Sequence, residues 1–338
     1  MRYTMERAME APLEFLAVGD TVIDDFIRLK DARVSCDVND EHCTITMRWG
    51  DKIPYESSTV VYGVGNAANA AVAAARLGLR TGFVSDIGVD ERGKKVLKHF
   101  MDEKLADIRV RAHEGFATNY HYVLSFESER TILINHAEYP RRFPSTLPAP
   151  KTLYLSSLGP NTEGYHDEIA DYLDACPETF FAFQPGTFQM ALGTDRLARL
   201  YKRADFYVLN KEEAQRVLKT KEEDVQKLIT ALHALGPKTV CVTQGREGAY
   251  ASNGSERFFV PLFPEPGPPK ERTGAGDAFA STVAAALTLG KPLNEALAWG
   301  PVNSMAVVQG VGAQEGLLPR ARLESYLAGE PDFAVQRV

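Results

Sequence analysis

The chain is poor in cysteine, with four in 338 residues, and none of them forms a C-x-x-C pair. Cys36, Cys43, Cys176 and Cys241 are scattered, which argues against a zinc site or a disulfide framework and fits packing residues in a reducing compartment. No apolar stretch reaches the roughly 20 residues that a membrane-spanning helix needs. Basic clusters are missing too: 38 Lys and Arg face 45 Asp and Glu, a net charge of −7, so nucleic acid is not an expected partner. Repeats and low-complexity segments are absent. The opening residues, MRYTMERAMEAPLEF, carry charges where a secretory signal requires an uninterrupted apolar region, so a cytoplasmic location is expected. With 44% hydrophobic residues, the chain can bury a large core.

The most informative stretch is residues 272 to 290, RTGAGDAFASTVAAALTLG. Gly274, Ala275 and Gly276 let the backbone turn sharply and aim successive N–H groups at one point. From Ala278 the pattern predicts an alanine-rich buried helix, stopped by Gly290 and Pro292. Unpaired amides and the positive end of the helix dipole then form an anion site, suited to phosphate or to charge developing during phosphoryl transfer. Asp277 sits inside it. Either Asp277 caps the helix, or it takes a proton from a hydroxyl while the amides hold a phosphoryl group.

Strand and helix patterns alternate along the rest of the chain, predicting an α/β fold with a mostly parallel sheet. Residues 13 to 18 read as a buried strand, with Asp24 and Asp25 close behind it in a turn or at a ligand. Residues 31 to 62, with turn signals at Asn39-Asp40 and Gly50-Asp51, read as antiparallel strands without helical period. Residues 117 to 135 read the same way around a polar turn at Glu127 to Glu129. Both patches are lid candidates, about 28–61 and 117–136, within a single domain of residues 1–338. Residues 63 to 78, GVGNAANAAVAAARLG, join a glycine turn to a helix that carries Asn69, a residue placed either to cap backbone or to bind a hydroxyl. Asn210 and Glu213 open a helix directly after a strand, as a capping pair or as groups that meet a phosphate and its Mg²⁺. Thr243, Gly245 and Gly248 lie in a turn between two strands, which a hairpin alone explains.

Together these features resemble the ribokinase-like, or PfkB, family of carbohydrate and nucleoside kinases, from about residue 13 to residue 325. TGAGDAF at residues 273 to 279 is similar to the family's C-terminal signature. The resemblance implies a three-layer α/β/α sandwich with a small β lid, Asp277 as catalytic base, and Gly274, Ala275 and Gly276 as its anion hole. It further implies Asp24, Gly65 and Asn69 at the substrate, and Asn210 and Glu213 at phosphate and Mg²⁺, Glu213 reaching the metal indirectly. Thr243, Gly245, Gly248 and Asn303 fall at the nucleotide. Three departures stand out. Val64 and Ala67 replace family glycines, Glu271 replaces an Asp that helps build a monovalent-cation site, and Arg272 replaces a neutral residue.

The implied reaction is transfer of the γ-phosphoryl group of ATP to a hydroxyl, a primary CH₂OH of a sugar or sugar derivative, with Mg²⁺. A nucleoside kinase is the alternative, with Trp49, Tyr55, Tyr120, Tyr122 and Phe126 as candidates for a base slot. A sugar- or nucleotide-binding sensor without turnover comes third, since a sensor needs no base. The expected partners are small molecules, with neither nucleic acid nor membrane, and lid edges of this family can pair between subunits as a homodimer.

Overall fold

The run Phe15–Val18 forms the first strand, β1, and all four of its side chains are buried. Alternation along it separates the molecule into layers: Phe15 and Ala17 face one set of helices, Leu16 and Val18 the other. In the computed structural model, which describes residues 11–35, 43–126, 129–144 and 146–338, β1 lies inside a ten-stranded sheet.

From β1 the chain runs through β2 (Val22–Leu29), a hairpin of β3 (Arg33–Ser35) and β4 (Thr44–Thr46), and β5 (Tyr55–Val64), of which β2 and β5 form half of a second sheet. It returns through α1 (Asn66–Arg76), β6 (Thr81–Gly88), α2 (Glu91–Asp102) and β7 (Asp107–His113), then adds β8 (Tyr120–Phe126) and β9 (Glu129–Leu133) to the second sheet. Strand and helix then alternate through β10 (Thr152–Leu155), α3 (Glu163–Ala175), β11 (Phe180–Phe183), α4 (Thr187–Leu192), α5 (Ala198–Arg203), β12 (Phe206–Asn210), α6 (Lys211–Leu218), α7 (Val225–His233) and β13 (Thr239–Thr243). The last part holds β14 (Ala249–Ser252), β15 (Arg257–Val260), α8 (Ala275–Thr288), α9 (Leu293–Val307), α10 (Arg320–Gly329) and β16 (Gln336–Arg337).

The large sheet has the order β16-β15-β14-β13-β12-β11-β10-β1-β6-β7, parallel from β13 to β7 and antiparallel from β13 to β16. One face is covered by α1, α8 and α9, whose alanines, among them Ala70, Ala74, Ala280 and Ala284, allow close approach to the sheet and to each other. The opposite face carries α3, α5, α6 and α7 through Ile169, Leu173, Leu200, Ala214 and Leu228. The fold is thus the α/β/α sandwich that the family resemblance implies, around the mostly parallel sheet expected from the alternation. Successive strands run outward from β1 in both directions, so the crevice beyond the carboxyl ends of β1 and β10 is a topological switch point, where open α/β sheets place their ligands.

The second sheet has the order β5-β2-β8-β9, with the β3–β4 hairpin as a separate pair. It starts at Val22 instead of near residue 28. Asp24 and Asp25 accordingly belong to β2, paired with Val61 and Val60 of β5, and not to a turn. β2 was hidden in the sequence because its two adjacent acids break the apolar pattern. The expected turns at Asn39-Asp40 and at Glu127-Ser128 fall outside the described residues. The expectation of four unpaired cysteines needs correction: Cys43 is disulfide-bonded, while Cys176 and Cys241 are free.

Candidate active site

Helix α8 begins at Gly274, whose φ of +82° lies in the left-handed region. A Cβ at Gly274 would come within 2.3 Å of the Ala313 Cβ, so the turn requires glycine twice over. Asp277 stands in the first turn of α8, but its carboxylate is held by side chains from other elements. Asn66 Nδ2 donates to Oδ1 at 2.9 Å, Asn69 Nδ2 to Oδ2 at 2.8 Å and Gln184 Nε2 to Oδ1 at 3.0 Å. Asn66 and Asn69 reach it together because residues three apart share one face of α1. Gln184 arrives from the carboxyl end of β11. Burial pushes the Asp277 carboxyl above its ordinary range; the three amide donors act against this, and the nearby charge of Asp24 adds to it.

Two cavities meet at this helix end. The larger, about 370 Å³, is lined by Asp24, Gly65, Asn69, Asn210, Glu213, Gly274 and Asp277 among others. The smaller, about 140 Å³, is lined by Gly245, Gly248 and Ala275, with Pro301, Ser304 and Met305 of α9. Thr243, Arg272 and Gly276 border both. A Cβ on Gly276 would meet nothing within 4 Å, so the backbone there is open to the cavities. The Arg272 guanidinium has no hydrogen-bond or ion-pair partner among the described residues.

The structure therefore brings together nearly all the residues singled out from the sequence. Gly65 opens α1 at φ +109°, where a Cβ would stand 2.9 Å from the Asp20 carbonyl oxygen. Asn69 is occupied at both ends, since its Oδ1 accepts from Gln314 Nε2 at 2.9 Å, and the same Gln314 nitrogen donates to Gly63 O at 2.8 Å. Asn210 and Glu213 form a reciprocal capping box and border the larger cavity as well, so the two readings of this pair coexist. Burial raises the Glu213 carboxyl above its usual range; the Asn210 N–H opposes this, and the charge of Asp277 adds to it.

Asn303 is the exception. It is fully buried, donates to Thr282 Oγ1 at 2.8 Å and accepts from the Leu318 N–H at 2.9 Å, and it borders neither cavity. Its neighbour Ser304 lines the smaller cavity in its place, one helix position round. The aromatic residues considered for a base slot are also elsewhere. Trp49 is fully exposed, and Tyr120 packs its ring against Arg92 with its hydroxyl donating to Asp25. The apolar wall of the larger cavity is instead Val22, Ile132, Ile134 and Phe188.

Sequence reasoning missed Asn66, Gln184, Asp20, His121 and His136, all of which line the larger cavity. Asp20 accepts from Gly159 N at 2.7 Å, from Arg141 and from His136. Burial pushes its carboxyl up, but Arg141 and His136 outweigh that and hold it below the usual carboxylate range. The position of Asp20 and Gln184 directly after strands was the available signal.

Comparison with known proteins bears on the family and the fold. Residues 35–321 match the model of the pfkB family carbohydrate kinases. The chain belongs to that family. An ATP-dependent 6-phosphofructokinase of Thermoanaerobacterium thermosaccharolyticum is 26% identical over 284 residues, covering 80% of this chain and 85% of the relative. A ribokinase of Bacillus subtilis is 25% identical over 265 residues, covering 78% and 87%. Among solved structures, Arabidopsis thaliana ribokinase complexed with ribose and ATP superposes with a TM-score of 0.76 at 20% identity, over 94% of this chain and 99% of that one. The nucleoside kinase of Methanocaldococcus jannaschii gives a TM-score of 0.76 at 17% identity, over 95% and 100%. This pfkB-family chain is thus a phosphotransferase of the sugar and nucleoside kinase group. Among the described residues, no helix is long and apolar enough to cross a membrane.

Proposed function

We propose that the protein transfers the γ-phosphoryl group of ATP to a hydroxyl of a sugar or sugar derivative, with Asp277 as general base. The observation that carries this reading is the position of Asp277, at a glycine-built helix N-terminus where two cavities meet, with its carboxylate fixed by three side-chain amides. The smaller cavity and its rim at Thr243, Gly245 and Gly248 take the nucleotide, and the larger takes the acceptor, its hydroxyl beside Asp277. The four-stranded sheet acts as a lid over the acceptor.

Bound Mg·ATP supplies the phosphoryl group. The residues present fit it: the bare backbone at Gly276 leaves room for phosphate, and Asn210 and Glu213 offer oxygen atoms to a hard cation. Among the described residues no group of three or more His, Cys, Asp or Glu is arranged to hold a metal by itself, so Mg²⁺ would be held chiefly by phosphate oxygens, with Glu213 reaching it through water. Asp277 takes the hydroxyl proton, the amides of Gly274 to Gly276 balance charge on the transferring group, and Arg272 lies between the cavities as a free cation. At the position of the family's monovalent-cation ligand, Glu271 Oε2 is a buried oxygen without a hydrogen-bond partner among the described residues, which fits a cation ligand. Arg130, 3.9 Å from the other oxygen of Glu271, is the competing charge.

A nucleoside acceptor is the second reading, favoured by the apolar wall of Ile132, Ile134 and Phe188. The deciding experiment follows ADP release from Mg·ATP with sugars, sugar acids and nucleosides, using Asp277→Asn as control. Turnover with one acceptor class, abolished in the variant, supports the proposal and names the class. ATP binding without ADP release for any acceptor would favour a non-catalytic sensor.

A further inference from the structure

Behind Asp277 lies a buried polar pair that the reaction described so far does not use. Gln184, just after β11, donates from Nε2 to Asp277 Oδ1 at 3.0 Å, and its Oε1 accepts from the Tyr154 hydroxyl at 2.5 Å. Tyr154 belongs to β10, is fully buried, and packs against Phe15 with ring centroids 5.6 Å apart. The main chain of Gln184 is fixed as well. Its N–H donates to Leu155 O at 3.0 Å, and its carbonyl accepts from Ser156 Oγ at 2.8 Å, which commits the one Ser156 proton although Oε1 is also within 3.5 Å.

Turning the Gln184 amide over would exchange Nε2 and Oε1, and two costs oppose it. Oε1 would face the Asp277 carboxylate with no proton between them. The Tyr154 O–H would lose its acceptor, and it has no other hydrogen-bond partner among the described residues. Burial, with the charge of Asp277 adding to it, pushes the Tyr154 hydroxyl well above its ordinary range, so it stays a donor. The donors on Asp277 are therefore distributed unevenly: Oδ1 accepts from Asn66 and Gln184, Oδ2 from Asn69 alone. A carboxylate oxygen has two lone-pair positions, so those of Oδ1 are filled and one on Oδ2 is open.

We infer that Tyr154 is a positioning residue: its hydroxyl sets the orientation of the Gln184 amide, which occupies Oδ1 and leaves the open position of Oδ2 to take the acceptor's proton. The inference rests on the reading of Asp277 as general base. As that proton moves to Oδ2, the acceptor oxygen bonds to the γ-phosphorus of ATP, and the bond from phosphorus to the β–γ bridging oxygen breaks, its electron pair leaving on ADP. Tyr154→Phe keeps the ring and removes the hydroxyl. The amide is then free to turn over when Asp277 is protonated and to accept from it through Oε1, so the neutral carboxyl gains a partner and the ionised form gains none. The Asp277 midpoint should rise by about one pH unit, the equivalent of one hydrogen bond. The charged groups facing Asp277 around the larger cavity are Asp20, Asp24, His121, Arg130, His136, Glu213 and Arg272. None of them is hydrogen-bonded to Gln184 or Tyr154, so the substitution leaves them in place.

Two measurements test this on the whole chain. ¹³C NMR of the aspartate carboxyls, with Asp277→Asn assigning the signal, follows the Asp277 midpoint in the free protein without any acceptor. The expected result is an upward shift in Tyr154→Phe, at least as large a shift in Gln184→Met, and nothing further when the two are combined, because Tyr154 acts only through the amide. An unshifted midpoint in either single variant, or additive shifts in the double variant, would overturn the inference. In kinetics, the rising limb of kcat should move to higher pH by the same amount in Tyr154→Phe, lowering kcat about tenfold below the limb with the ATP KM unchanged. A kcat lowered equally at every pH would assign Tyr154 a merely structural role and also reject it. Absence of any turnover in the unmodified protein, by contrast, counts against the kinase reading, and the NMR midpoints still decide whether Tyr154 sets the carboxyl through Gln184.

Discussion

The side-chain amide of Asn69 donates to Asp277 Oδ2 across 2.8 Å, while its carbonyl oxygen accepts from Gln314. A residue that the family resemblance assigns to the substrate is therefore engaged at both ends, and it bears first on the Asp277 carboxylate. Asn69→Leu should lower kcat by about 10- to 100-fold, the equivalent of one hydrogen bond to a charged group, and change acceptor KM less. Steady-state kinetics check this; a large KM effect with unchanged kcat would return Asn69 to the acceptor.

Asp277→Asn keeps the size of the side chain and removes the proposed base. Turnover should fall by about 10²- to 10⁴-fold with ATP affinity nearly unchanged, measured by ADP release and by calorimetric ATP titration.

The pH dependence of kcat has a defined sign. Burial raises the Asp277 carboxyl above its ordinary value, and the base works only when ionised, so kcat should rise with pH through a midpoint above about 4. Asn66→Ala removes a donor to the ionised form and should move that limb to higher pH. A limb at or below the ordinary carboxylate range in the unmodified protein contradicts this reading of the site.

Gly274 and Gly276 should respond differently to the same substitution. At Gly274 an added methyl meets Ala313 and the left-handed backbone is strained, so Gly274→Ala should lower stability by about 1–3 kcal/mol, visible in thermal melts. At Gly276 the methyl meets only open space. Gly276→Ala should melt near the unmodified protein and lose turnover, because in the proposed site the methyl would stand where phosphate approaches.

Asp20 and Arg141 form a buried pair whose value depends on pH. The folded-state midpoint of Asp20 is lowered, so its stabilisation is fully present above the unfolded carboxyl value of about 4 and is lost as pH falls through the lower folded midpoint. Asp20→Asn leaves Arg141 with Asp86 at 3.8 Å as its remaining carboxylate and should cost about 3 kcal/mol near neutral pH, measured by denaturant unfolding. The difference between the two proteins should shrink in acid.

The layers were legible because each βα unit carries its own periodicity, and the glycine start of α8 because turn chemistry is local. The partners of Asp277 were not. Asn66 and Gln184 lie 211 and 93 residues from it in the chain, and only the sheet order brings them to one point. Asn303 shows the opposite failure: a motif position fixes a residue on α9, but a helix face is decided by packing, and Thr282 claims the side chain.

Gln314 joins the end of β5 to the base in two steps, through Gly63 O on one side and Asn69 on the other. The four-stranded sheet is thereby wired to Asp277 as well as resting above it. In the proposed reading, with this sheet as the lid and Asp277 as the base, a shift of β5 at Gly63 would act on the same Gln314 nitrogen that holds Asn69, so lid position and the aim of the carboxylate would move together.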